Sequence, residues 1–342
     1  MIVFCGEPNQ KILEEYQQKV NKLYENYYKQ QKNWIPLKLE RVISTAEIGD
    51  SKENFMGAGS DFVRMDNGEF YIIDNQRHCI HWISRNYDST RIISGMGDGP
   101  GELRQPFSCD RSPSNFLFIN DGHGINKFDS TGKFLWRYRD PNFNRVFEVL
   151  DDNHILTRPD LEFKEKERPY LSVYDSSGRK TGGIGKQILH KNSLLNEIEA
   201  DIAGDSIFIF YRFLNKLLIY SKDGKLVKEI RPKIELFNQL EEMNLKFDKP
   251  ARRMSYSSLF SNFRIFGNHI FIFCITQSWI IEIDFNENCI ANYYFENKEY
   301  NLANLGMEFT MNENCQKLFF YCIDYLDFKG AECINIFSAN IK

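Results

Sequence analysis

"DSTGKFL", residues 129–135, joins two strand-like runs, "INKFD" (125–129) and "FLWRY" (134–138). Asp, Ser and Gly between two such runs are hairpin chemistry, because glycine reaches positive φ without steric cost. Related stretches follow it: "DSSGRKT" from Asp175 and "SKDGKLV" from Ser221. Their glycines, Gly132, Gly178 and Gly224, recur at 46-residue spacing. A fixed period of this length marks an array of similar supersecondary units, and about 40–50 residues suits one four-stranded propeller blade.

A second element recurs before each hairpin and extends the array in both directions. It is an aromatic strand: "EFYIID" (69–74), "FLFIND" (116–121), "HILTRP" (154–159), "IFIFYR" (207–212), "IFIFCI" (270–275) and "LFFYCI" (318–323). Long apolar runs of this kind suit strands covered on both faces by neighbouring sheets. The six copies predict an all-β fold, a six-bladed β-propeller of four-stranded antiparallel blades. Each blade reads as inner strand, tight turn, aromatic strand, variable loop, third strand, hairpin and outer strand.

Two segments stand outside the repeat. Residues 233–257 carry Ile234, Leu236, Phe237, Leu240, Met243 and Leu245. This spacing predicts one short helical insertion between blades four and five, ended before Pro250. Residues 9–32 carry Ile12, Leu13, Tyr16, Val20, Leu23, Tyr24, Tyr27 and Tyr28 at helical spacing, an amphipathic helix. The expected organisation is a tail and helix over 1–33 and a propeller over 34–342.

The two ends of the array raise a closure problem. The sixth blade runs through "CINIF" (333–337) and leaves too little chain for an outer strand. An open sheet edge is a hazard that closed folds avoid. "IPLKLERVISTAEI" (35–48) reads as a strand with no place in blade one, so it is expected to supply that outer strand and close the ring.

Composition bounds the function. The 342 residues are 42% hydrophobic and 15% aromatic, enough for a sizeable core and biased towards strands. The formal net charge of −4 gives no global basic field for nucleic acid or an anionic membrane. No apolar run approaches the roughly 18 residues that span a bilayer. The eight cysteines form no C-x-x-C pair and sit mostly in apolar runs, the pattern of buried thiols. In "MIVFCGEPNQ" (1–10), a short apolar run precedes Cys5-Gly6 and a polar segment, as at the end of a bacterial lipoprotein signal. Cys5 is the candidate lipid anchor. The expected location is the cell envelope, as a periplasmic or outer-membrane lipoprotein, if the given start lies within a longer signal; otherwise it is the cytoplasm.

"GMGDGPGELRQP" (95–106) lies between the outer strand of blade one and the inner strand of blade two. A phosphate-cradling loop would need Gly-Lys-Ser/Thr opening a helix, or G-x-G-x-x-G between strand and helix. Glu102 stands where the last glycine would be, and no helix pattern follows. The expectation is a corner from rim to axis.

"GMGDGPGELRQP…FLFINDGHGINKFDSTGKFLWRY" (95–138) resembles an NHL-type propeller repeat, in which a G-P-G-E linker precedes an aromatic strand and an F-D-x-x-G-K hairpin. The whole layout resembles the six-bladed β-propeller lipoproteins of Bacteroidetes. The specific motif covers about 45 residues, and the weaker repeat nearly all of 35–342. Blades three, five and six have lost the linker, and Cys274 and Cys322 replace the Asp that ends the first aromatic strand. The resemblance implies a cell-envelope location and a mostly unassigned function.

Candidate chemistry is sparse. His78 and His81 form H-x-x-H, but on a strand that spacing points them to opposite faces, so a shared metal is not expected. No G-x-S-x-G elbow is present to support a serine hydrolase. A metal-dependent lactonase-like or lyase-like enzyme would hold Ca2+ on the axis through acids of the inner strands. The acids there are Asp61, Glu148, Glu199, Asp201 and Glu308, which do not share one register.

The linkers and the loops after the aromatic strands emerge on one face. That face is expected to gather Asp74, Arg77, His78, Glu102, Arg104, Asp121, His123, Arg158, Arg212 and Asp324, beside the long charged loop "RPDLEFKEKERPY" (158–170). The leading expectation is a non-catalytic binding or scaffold module for a protein, peptide or glycan. It would be a monomer without cofactor, bind no nucleic acid and touch a membrane only through the anchor.

Overall fold

The computed structural model describes residues 10–44, 48, 56–57, 59–122, 124–138, 147–159, 167–246, 257–274, 279–296, 307–311, 317–324 and 333–340. Helix α1 (Gln10–Gln30) leads into strand β1 (Trp34–Ser44). Strands β2 (Gly59–Arg64), β3 (Phe70–Asp74), β4 (Cys79–Ile83) and β5 (Thr90–Ser94) form an antiparallel four-stranded meander. The same arrangement recurs in β6 (Ser108–Arg111), β7 (Leu117–Asn120), β8 (Ile125–Phe128) and β9 (Phe134–Tyr138).

The third sheet uses β10 (Phe147–Val149), β11 (His154–Thr157), β13 (Leu171–Asp175) and β14 (Lys180–Ile184). Between and beyond these strands, β12 (Glu167–Arg168) pairs with β15 (Gln187–Ile188) as a separate ribbon. Strands β16 (Ile198–Ala203), β17 (Ser206–Tyr211), β18 (Leu217–Ser221) and β19 (Leu226–Ile230) make the fourth sheet, followed by helix α2 (Glu235–Lys246).

The remaining strands join into one eight-stranded sheet. A meander of β20 (Asn262–Phe266), β21 (His269–Cys274), β22 (Trp279–Asp284) and β23 (Cys289–Phe295) sits at one end. At the other end lie β24 (Met307–Met311), β25 (Lys317–Asp324) and β26 (Cys333–Asn340). Strand β1 lies between them. Trp34–Leu37 runs parallel to β23, and Lys38–Ser44 pairs antiparallel with β26.

The first strands of successive meanders touch in ring order: β2 with β6, β6 with β10, β10 with β16, β16 with β20, β20 with β24, and β24 with β2. This is a propeller arrangement. The second strands explain why it is stable. Phe70–Asp74 and Leu117–Asn120 are buried throughout, because each lies between its own sheet's neighbours and the faces of adjoining sheets. The apolar clusters fall at these junctions: Tyr71 and Ile73 pack with Leu117 and Ile119, and Leu156 and Leu171 pack with Ile207 and Ile209. Burying one such large side chain stabilises the fold by about 1.5–3 kcal/mol.

The outer hairpins use a common device. Asp129 Oδ1 accepts the N–H groups of Thr131 and Lys133, and Asp175 Oδ1 those of Ser177 and Arg179. The next turn position is left-handed, which Gly132 and Gly178 tolerate. Helix α1 is docked on this body. Tyr16, Val20, Tyr24 and Tyr27 share a buried face with Leu236, Phe237 and Leu240 of α2 and with Trp279. The Tyr16 hydroxyl donates to Asn244 Oδ1 at 3.0 Å and accepts the Ser257 N–H at 2.8 Å.

Candidate functional site

The axis is built from acids on the first strands. Asp61, Asp110 and Asp201 each accept the N–H of their own next residue, Phe62, Arg111 and Ile202, at 2.7–3.0 Å. Their second oxygens accept N–H groups from the following first strand: Cys109 at 3.0 Å, Val149 at 2.6 Å, and Ile265 at 2.6 Å. These carboxylates fasten one sheet to the next. Charge-assisted bonds of this kind are stronger than neutral ones.

Arg264 of β20 is the cation of this cluster. Its Nη1 lies 3.6 Å from Asp201 Oδ1. Its charge also acts on Asp61, Asp110, Glu148 and Glu199. Even so, desolvation by the surrounding ring pushes the Asp61 and Asp110 carboxyls up to about 6. Glu148 is likewise raised well above its ordinary range by burial and by the Asp110 charge. Asp110 and Arg264 escaped the sequence reading. Asp110 had a signal, since "SCDR" places an acid on its first strand as "GSDF" does.

Arg158 and Arg212 follow the second strands β11 and β17, at the end where each sheet meets the chain leading into a first strand. The Arg212 N–H donates to Glu197 O at 3.0 Å across that junction. Arg212 Nη1 lies 3.5 Å from Glu199 and 3.8 Å from Glu197. Arg158 is within electrostatic reach of the same two acids and of Arg212, and burial holds its guanidinium below the ordinary range. The Nε–H groups of both arginines are buried without a hydrogen-bond partner. An orphaned buried donor costs about 1–3 kcal/mol, so each of the two is an unmet demand for an acceptor.

The glycine linker is occupied by the chain's own carboxylate. Glu102 folds back so that Oε2 accepts the Gly99 N–H at 2.7 Å, and Leu103 N–H donates to Gly95 O at 2.9 Å. The linker opens no helix. Arg137 joins it to the second sheet, donating to Glu102 O and, at 3.0 Å, to Asp121 Oδ2. Arg104 pairs with Asp98 on the exposed side.

Asp74 is fully buried at the end of β3, where its oxygens accept the N–H groups of Gly57, Gln76 and Arg77. Arg77 and His78 lie in the turn that follows, and His78 has φ +54. His78 is thus off the strand, and the alternation argued for the two histidines does not apply to it. His81 Nε2 instead faces Asp74 Oδ2 at 3.1 Å and Cys79 Sγ at 3.5 Å. Burial pushes the Cys79 thiol up to about 12.

The arrangement therefore brings Glu102 and Asp121 together through Arg137, with Arg104 paired to Asp98 in the same linker, and Arg158 within electrostatic reach of Arg212. Asp74, Arg77 and His78 form a third group. Asp324 ends β25 opposite Cys333, and Glu308 lies in β24 opposite Tyr321; both side chains fall outside the described residues. Cys5 and His123 fall outside them entirely, as does 160–166 of the charged loop. The flank of that loop is anchored by buried Arg168, whose Nε donates to Gln187 Oε1 at 3.1 Å.

A protein described as exported, from Bacteroides fragilis, superposes with a TM-score of 0.56 at 14% identity, covering 90% of this chain and 96% of its own. The chain is a β-propeller. Regucalcin, a calcium-binding protein from Agrobacterium tumefaciens, gives a TM-score of 0.51 at 12% identity, with coverage of 91% and 98%. A streptogramin B lyase gives 0.50 at 11% identity, with coverage of 91% and 100%. At these identities the likeness is one of fold. No protein-family model and no curated protein matches the chain. Among the described residues, no helix is long and apolar enough to cross a membrane.

Proposed function

We propose that this propeller is a non-catalytic binding module that takes a carboxylate-bearing ligand, on a peptide, protein or glycan, at Arg158 and Arg212. One observation carries the reading: two guanidinium groups within electrostatic reach of each other have both Nε–H donors buried and unpartnered. A carboxylate accepts from Nε–H and Nη–H of one guanidinium in a fork, which supplies the missing acceptor with directional specificity. The reading needs no cofactor. Asp61, Asp110 and Asp201 are committed to backbone N–H groups, and Arg264 already serves as counter-ion.

We take the ring as six-bladed and NHL-like, counting the eight-stranded sheet as two blades completed by β1. The six first strands in ring contact support that count. The proposed setting is the cell envelope, with Cys5 as lipid anchor and the protein acting as a monomer that binds no nucleic acid. The polar stretch after Cys5-Gly6 and the exported protein of like fold support it.

The test is calorimetric titration with peptides bearing a free or an amidated C-terminus, and with uronic-acid or neutral oligosaccharides. The expected result is binding that requires the carboxylate and is lost in the Arg158→Gln/Arg212→Gln variant. Binding indifferent to the carboxylate, or unchanged in that variant, overturns the reading. Stoichiometric calcium uptake that creates activity would favour the axial-metal enzyme instead.

A further inference from the structure

We infer that Asp74, Cys79 and His81 form a buried transition-metal site, suited to Zn2+, in the turn between β3 and β4. The site is independent of the binding face proposed above. Asp74 and Cys79 are directly paired across the two strands, and His81 lies two residues after Cys79, on the same face of β4. Carboxylate oxygen, thiol sulfur and imidazole nitrogen all lie within 4.8 Å of one another, and all three residues are buried.

The N–S separation equals the edge of a small zinc tetrahedron, and the N–O separation is a few tenths of an ångström shorter than one. Zinc bonds of about 2.0–2.1 Å to nitrogen, 2.0–2.2 Å to oxygen and 2.3 Å to sulfur place N and O about 3.3–3.5 Å apart, and N and S about 3.5–3.6 Å apart. His81 Nε2 stands 3.1 Å from Asp74 Oδ2 and 3.5 Å from Cys79 Sγ. A single Nε2–H can donate to Asp74 Oδ2, and it then offers the Cys79 thiol no acceptor at the same nitrogen. A cation satisfies the three donors together.

Charge balance selects the ion. A divalent metal with one thiolate, one carboxylate and one neutral imidazole is net neutral, the state that burial tolerates best. The mixed S, N and O set suits zinc and not calcium, which takes oxygen ligands. Three protein ligands leave a fourth position to water. The metal would tie the turn carrying Arg77 and His78 to the segment before β2, through the 2.6 Å bond from Gly57 N–H to Asp74.

The test uses the full chain freed of metal by chelation and titrated with Co2+ alone. The expected result is a thiolate-to-cobalt charge-transfer band with tetrahedral ligand-field bands, saturating at one equivalent and displaced by Zn2+. Cys79→Ser should abolish the charge-transfer band, and His81→Gln should weaken binding by tenfold or more. Where the variants fail to fold, X-ray absorption of the zinc-loaded wild-type chain decides. One sulfur neighbour at about 2.3 Å is expected. No thiolate band in the wild type, a band that survives in Cys79→Ser, or a zinc shell without sulfur overturns the inference.

Discussion

Arg264 Nη1 lies 3.6 Å from Asp201 Oδ1, on first strands of neighbouring sheets, and Arg264 is the cation that the axial acids share. Replacing it with Gln leaves several desolvated carboxylates without their shared counter-ion. Removing one partner of a buried pair costs about 3–5 kcal/mol. Arg264 keeps a quarter of its side chain exposed, so solvent screening reduces the expected loss to about 2 kcal/mol at pH 7.5. The loss should shrink at pH 5, where the acids take up protons. Equal losses in melts at the two pH values would contradict the electrostatic assignment.

The same cluster sets the sign of the pH dependence. Asp61 and Asp110 titrate at about 6 in the fold, above the roughly 3.9 of an unfolded aspartate. The folded state therefore binds protons more tightly. Their stabilising contribution is complete below about pH 4 and is lost as pH rises through 6. The melting temperature should fall from pH 5 to pH 7.5. Glu148→Gln removes one of the opposed charges, so it should raise the melting temperature at pH 7.5 and flatten that slope. A wild-type profile that rises over this interval would refute the prediction.

The linker makes a prediction about coupling. A methyl group on Gly97 would run into Glu102 Oε2, the atom that accepts the Gly99 N–H. Gly97→Ala should cost about 1–3 kcal/mol, in the range of overpacking. In a Glu102→Ala background the carboxylate is gone, so the cost should fall to the part set by the φ of +158 at residue 97. Denaturant melts of the four-member cycle measure this. Additive costs would mean that Glu102 does not occupy the glycine turn.

Ring closure can be tested by truncation. Strand β1 gives Leu37 and Ile43 to the core and pairs with both β23 and β26. Deleting residues 34–44 exposes the edges of both strands. Cooperative unfolding should be lost, read by coincidence of circular dichroism and fluorescence melts. A sharp, coincident transition in the truncated chain would show that β1 is dispensable.

The sequence disclosed most where local chemistry dictates structure. Gly132, Gly178 and Gly224 mark hairpins because a left-handed turn position favours glycine. Two other hairpins were silent, since Tyr87 and Glu287 hold that position at φ +59 and +74. Asp284 still accepts the N–H groups of Asn286 and Asn288, as Asp129 and Asp175 do for theirs, and Ser84 and Ser221 accept in the other two hairpins, so an Asp or Ser at the head of the turn was the broader signal. The axial cluster was hidden for another reason. Arg264 and the acids come from separate repeats and meet only when the sheets close into a ring. Cys79 was obscured by reading His78 and His81 as a strand pair, when His78 belongs to the turn.

Anomalous diffraction from crystals soaked in selenate tests the proposed binding site most directly, because it locates an oxyanion without knowledge of the ligand. The expected result is a selenium peak within hydrogen-bonding distance of the Arg158 and Arg212 Nε atoms, absent from crystals of the Arg158→Gln/Arg212→Gln variant. Wild-type crystals with ordered selenate elsewhere, and none at the two arginines, would contradict it.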